Sequence, residues 1–159
     1  MTILHLGVVD QPYVNKPKKI PKKTPKRPRK AQAGEKTTGD IATILEAKYH
    51  IMELFYREER EKIKALMHDA IEGAVEDLLS GAPARPNMSP FEAAAPQIEA
   101  LFRDFLDKKR LDNLWPGIPT MAALKGVNHR LKIKRGMPRP SFIDTGLYEA
   151  SFKAWFDPS

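Results

Sequence analysis

A mainly α fold with a small β element is what this sequence predicts: one long amphipathic helix, shorter helices behind it, hairpin-like strands near the C-terminus and an extended N-terminal arm. Three observations carry that reading. No glycine or proline occurs between Asp40 and Glu72, and the apolar residues there recur in sets. A helix-start signature, Ser89-Pro-Phe-Glu92, follows a Gly/Pro interruption. The first thirty-six positions hold five prolines and ten Lys or Arg residues, which no packed element tolerates.

The arm comes first. From Lys16 to Lys30, prolines at 17, 21, 25 and 28 remove backbone donors and deny the chain both a helix and a sheet ladder. Its cations repel one another, and in polyproline geometry, at about 3.1 Å per residue, a free stretch from Lys16 to Lys36 would reach roughly 65 Å. Residues 16–36 carry ten Lys/Arg against Glu35 alone, a net of +9, whereas the whole chain is +7. The remainder is therefore slightly acidic. Such a balance describes a basic segment on an acidic body, not a basic binding face. The cations Lys18, Lys19, Lys22, Lys23, Lys26 and Arg27 are the candidates for docking on acidic grooves of neighbouring proteins, with ordering on assembly. The alternative is nucleic acid, bound through phosphates alone and steeply salt-dependent, because no aromatic lies between Val14 and Lys36 to stack on a base. Ahead of the arm, Ile3, Leu4, Leu6, Val8 and Val9 read as a short strand or an anchor.

The long helix is expected over about 40–80. Ile41, Ile44 and Leu45 are followed eleven residues later by Met52, Phe55 and Tyr56, and eleven later again by Ile63, Leu66 and Met67. An eleven-residue repeat averages 3.67 residues per turn, so the stripe stays on one face. Forty residues would span about 60 Å, more than a compact body of this size is wide. Part of the stripe should then pack on other proteins, with Phe55, Tyr56, Leu66 and Met67 as the contact residues. A hairpin broken within Arg57–Glu61 is the alternative.

A second helix is expected over about 89–110, with Ser89 as cap, Pro90 at the first helical position, Glu92 completing a capping box and a kink or restart at Pro96. Trp115 to Pro119 reads as a rigid turn, and Thr120 to Lys125 as a short helix closed by Gly126. Val127, His129, Leu131 and Ile133 alternate with polar residues as in a half-buried strand. Residues 147–156 are ambiguous. Tyr148, Ala150, Phe152, Ala154 and Phe156 alternate, which favours a strand paired antiparallel with 127–133, while Glu149 and Lys153 are spaced for a helix.

Composition excludes several function classes. There is no cysteine, hence no disulfide framework and no thiolate metal site. His5, His50, His68 and His129 lack ligand spacing, no Gly-rich phosphate loop follows a strand, and no run is long enough to span a bilayer. No cofactor is expected. Phe142-Ile-Asp-Thr-Gly146 resembles the signature of retroviral-type aspartic proteases, yet those enzymes build most of an all-β domain around that loop and here only thirteen residues follow it. Asp144, Thr145 and Gly146 read instead as a turn, with Gly146 supplying positive φ.

One resemblance adds to this. Pro138 to Phe152, with Asp144-Thr-Gly146, Leu147 and Ser151, resembles the Pro…Asp-Thr-Gly-x-Leu-x-x-Ser pattern of small virion proteins of tailed bacteriophages, including tail-completion and neck proteins; here Leu147 directly follows Gly146. The wider order is similar to structural proteins of contractile-tailed phages: a Pro/Lys-rich arm, Thr37-Thr-Gly-Asp-Ile41 opening a long helix, then Pro119 to Arg130 and the closing motif. The resemblance implies a non-enzymatic component of a neck, tail or baseplate joint, located in the virion, in several symmetric copies that contact other virion proteins.

Overall fold

The computed structural model describes residues 3–12, 36–83, 89–127, 136–143 and 146–157. The fold is mainly α with one small sheet. In chain order it comprises β1 (Leu4–Val8), α1 (Thr38–Tyr49), α2 (Ile51–Leu79), a 3-10 turn (Glu92–Ala94), α3 (Ala95–Asp107), the short helices α4 (Met121–Leu124) and α5 (Leu147–Ala150), and β2 (Phe152–Phe156).

The expected helix over 40–80 is corrected at one residue. His50 adopts left-handed geometry, φ 52° and ψ 44°, and divides the rod into α1 and α2. Histidine tolerates this region better than most residues, and the break is stabilised locally. Glu46, in the last turn of α1, reaches across it so that its carboxylate accepts from the Met52 N–H at 2.8 Å and the Glu53 N–H at 3.3 Å. These are two of the donors a new helix leaves open. Glu46→Ala is expected to cost about 1 kcal/mol, as for other lost caps, read as a shift in the urea midpoint. The turn also separates two contacts: Tyr49 packs on Phe142 and the His50 ring on Trp115. The hairpin alternative fails, because α2 runs unbroken through 57–61.

The core forms where α2, α3 and the sheet meet. Phe55 meets Phe102, Phe105 and Phe152 edge-on at centroid distances of 5.1, 5.5 and 5.9 Å, and Phe102 stacks on Phe152 at 3.9 Å. Ile51, Leu54, Ile63, Ile98 and Leu106 close around them. The most deeply buried charge among the described residues enters this core. The Glu59 carboxylate is buried and paired with Arg110 at 2.6 Å and Lys62 at 2.9 Å.

The second helix differs from expectation at both ends. The restart near Pro96 is present, with a 3-10 turn over 92–94 and the α-helix from Ala95, where proline is tolerated in the first turn. Ser89 accepts from Phe91 N–H at 3.3 Å rather than forming a capping box with Glu92. α3 stops at Asp107, and Lys109 turns left-handed at φ 56°.

Among the described residues the partner of β2 is β1. β2 pairs antiparallel with β1, Leu4 opposite Phe156 and Val8 opposite Phe152, so the sheet joins the two ends of the chain. The expected strand 127–133 lies almost wholly outside the described residues. Along β2, Phe152, Ala154 and Phe156 face inward while Lys153 and Trp155 face out, and Lys153 pairs with Glu99 of α3 at 2.9 Å, not with Glu149. Trp155 lies across β1 with His5 stacked on it at 5.3 Å. Glycine at position 7 makes room for that, because a Cβ there would come within 2.8 Å of the indole and push it aside. The ambiguous stretch 147–156 is both things in turn: helix α5, then strand β2.

Candidate docking surface

Two parts of the structure bear on how this chain meets others: the clamp that holds the basic segment and the free end of α2. The clamp is built on Thr38, which is fully buried. Its hydroxyl donates to the Val9 carbonyl and accepts from Gln11 N–H, both at 2.7 Å, while its own N–H donates to the Gln11 carbonyl at 2.9 Å. Beside it Pro12 bridges Thr37, and Gly39 N–H donates to the Asp10 carboxylate at 2.9 Å. Hydrogen bonds from the Thr37 side chain and the Gly39 backbone hold the Asp10 carboxyl below its usual range.

The docking candidates Lys18, Lys19, Lys22, Lys23, Lys26 and Arg27, and with them the expected reach of the arm, lie outside the described residues; the residues that flank the segment meet at Pro12 and Thr37. Thr38→Val removes the hydroxyl and leaves the Val9 carbonyl and the Gln11 N–H without it. It should cost about 2 kcal/mol, measured by denaturant unfolding.

The residues expected to dock along the rod separate into two kinds. Phe55 is fully buried at the centre of the core and offers nothing to a partner, which corrects its assignment. Leu66 and Met67 are half-buried and packed against the core, and Tyr56 is exposed. The sequence repeat marks an apolar stripe but does not say which segment of it the body covers. That division falls near Ala70, the last buried position of α2. Beyond it Ile71, Val75, Leu78 and Leu79 are 38, 48, 59 and 82 % exposed. The periodicity carries the stripe on to Ala74 and Leu78, but it does not single out Ile71, Val75 or Leu79.

The same end of α2 is acidic. From Ala65 to Pro83 the chain has Asp69, Glu72, Glu76 and Asp77 and no Lys or Arg. Glu76 and Asp77 sit in the last turns, where the helix dipole is itself negative and no basic residue offsets it. Between this end and the start of α3 runs a groove of about 590 Å³. Ala70, Ala74, Leu78, Pro83, Pro90 and Ala93 supply its apolar walls, and Asp69, Glu76, Asp77 and Glu92 its rim. Among the described lining residues there is no cation. Residues 84–88, which join Pro83 to Ser89, lie outside the described set.

Two carboxylate–imidazole trios also come together in space, Glu46 with His50 and Glu53, and exposed His68 with Asp69 and Glu72. In the first, Glu46 is engaged in capping α2 and His50 Nδ1 lies 3.0 Å from Glu53. In the second, His68 Nδ1 lies 3.5 Å from Glu72 along one helix face. Of the closing turn, Gly146 has the expected positive φ, 74°, and starts α5; Asp144 and Thr145 lie outside the described residues.

No family model, curated protein or solved structure matches the chain. No helix among the described residues is long and apolar enough to cross a membrane.

Proposed function

We propose that this chain is a non-enzymatic structural component of a tailed-phage virion, joining neighbouring proteins at a neck, tail or baseplate interface. The observation that carries the joining role is the end of α2. Ile71, Val75, Leu78 and Leu79 stand on one helix end, past the last residue that its own core covers. Four apolar side chains clustered at a helix end favour burial against a partner, at about 25 cal/mol per Å² of apolar surface removed from water. The acids beside them select a cationic partner. The place in a virion rests on the resemblance of residues 138–152 and of the order of elements.

The test is a phage whose copy of the gene carries Ile71→Gln, Val75→Gln and Leu78→Gln. Gln keeps helix propensity, and exposed positions contribute little to stability, so the isolated variant should melt within a few degrees of the parent. Mass spectrometry of purified particles is expected to find the parent chain at fixed stoichiometry and to lose the triple variant. Normal incorporation of the variant, or absence of the parent chain from particles, would overturn the reading.

A further inference from the structure

We propose that the open edge of β1 pairs antiparallel with β1 of a second copy, in register about Leu6, so that two chains share one four-stranded sheet. This contact uses different residues from the end of α2 and does not depend on it.

The hydrogen-bond ladder leaves that edge open. Val9 N–H donates to the Ser151 carbonyl and Asp157 N–H to the Ile3 carbonyl, so the odd-numbered residues along β1 turn their backbone groups toward β2. Bonded and non-bonded positions alternate in an antiparallel pair, which points the N–H and C=O of Leu4, Leu6 and Val8 away from β2. Among the described residues nothing bonds to them. β2 offers no comparable edge, because Phe152, Ala154 and Phe156, which carry its outward groups, are buried in a strand that α3 packs against. An open strand in a monomer is ordinarily guarded by a charge, a proline or a bulge. Ile3 to Val9 contains no Lys, Arg, Asp, Glu or Pro, and its register with β2 runs without a bulge.

The occupant that fits this edge is a second copy of it. Antiparallel pairing about Leu6 sets Leu4 opposite Val8 of the second copy and Leu6 opposite its own counterpart, so each open N–H meets an open carbonyl under a two-fold axis. The residues between them match as well. Ile3 and Val9 are 46 and 43 % exposed on the face that bears Trp155, and this register lays the Ile3 of each chain beside the Val9 of the other. His5 comes opposite Gly7, so its ring meets no side chain across the seam. Displacing the register by two residues would uncover an end of each strand and separate Ile3 from Val9. A single strand pair is a small interface, so the dimer should form at about 100 µM chain and come apart on dilution.

Amide exchange on the unaltered chain tests this. The N–H groups of His5 and Gly7 are bonded to β2 at any concentration, whereas those of Leu4, Leu6 and Val8 are free until two copies meet. Raising the chain from about 20 µM to about 1 mM should slow exchange at Leu4, Leu6 and Val8 roughly tenfold or more, in step with dimer seen by sedimentation. Single thiols then read the register, since the chain has no cysteine. Oxidised glutathione should convert Leu6→Cys to a disulfide dimer, because a bonded antiparallel pair holds its Cα atoms about 5.5 Å apart, within disulfide range. Leu4→Cys and Val8→Cys should cross-link to each other but not to themselves, each lying about 14 Å from its own counterpart. A chain that stays monomeric at about 1 mM, or a dimer that leaves exchange at Leu4, Leu6 and Val8 unchanged, overturns the proposal. So does a dimer in which Leu4→Cys cross-links to itself as readily as to Val8→Cys.

Discussion

Phe55→Ala is expected to be among the most destabilising single changes in this chain, about 3–5 kcal/mol, or a fall in melting temperature on the order of 10 °C. The ring is wholly buried and touches three others, from α3 and β2, so its removal opens a cavity at the one place where all the core layers meet. The surroundings cannot close over it easily. Phe102 is stacked on Phe152 at 3.9 Å, and both are held by elements with other obligations, α3 to α2 and β2 to β1. Tyr56, the next residue, is 46 % exposed, and Tyr56→Ala should change stability by less than about 1 kcal/mol. Urea unfolding of the two variants separates a core residue from a surface one. Near-equal effects would mean that α2 does not present this face to α3.

Arg110→Ala should have a comparable effect by another route, about 3 kcal/mol or more. The Glu59 carboxylate is enclosed by the core, 1 % exposed, and Arg110 approaches it at 2.6 Å from beyond the end of α3. Without the guanidinium, the buried charge keeps only Lys62, which comes from the same helix and is itself half in solvent. Truncating one partner of a buried pair costs several kcal/mol, because the remaining ion has lost water without full compensation. The control is Glu59→Leu combined with Arg110→Leu, which removes both charges and should lose much less. If the double change is as damaging as Arg110→Ala, packing by the arginine stem, not charge, holds this corner. The Arg110 guanidinium lies 6.0 Å from the Phe105 ring, so a modest packing contribution is already built in.

Both effects depend on tertiary placement, which marks the limit of what sequence shows. The helical class, the break-free run through 57–61, the restart at Pro96, the turn at Gly126 and the inward alternation of Phe152, Ala154 and Phe156 follow from periodicity and punctuation, which are local. The break at His50 was hidden because nothing in the sequence forbids a helix there; it exists through a Glu46 side chain reaching over the joint and through rings on either side meeting Phe142 and Trp115. The pairing of β1 with β2 is a contact between chain ends, for which the alternation of one strand names no partner. Phe55 and Ile71 belong to one apolar pattern, yet one is the core and the other is on the surface. Only the position of α3 decides between them.

The central claim is that α2 from Ile71 to Leu79 is left bare by its own body and covered by a partner. The chain has no cysteine, so Leu78→Cys introduces a single thiol at that end of the helix. Maleimide labelling at high salt should proceed near the rate of a free thiol in the isolated monomer and slow roughly tenfold or more in assembled particles, as burial removes access to the thiolate. A thiol already protected in the monomer, or one equally reactive in the particle, would contradict the account.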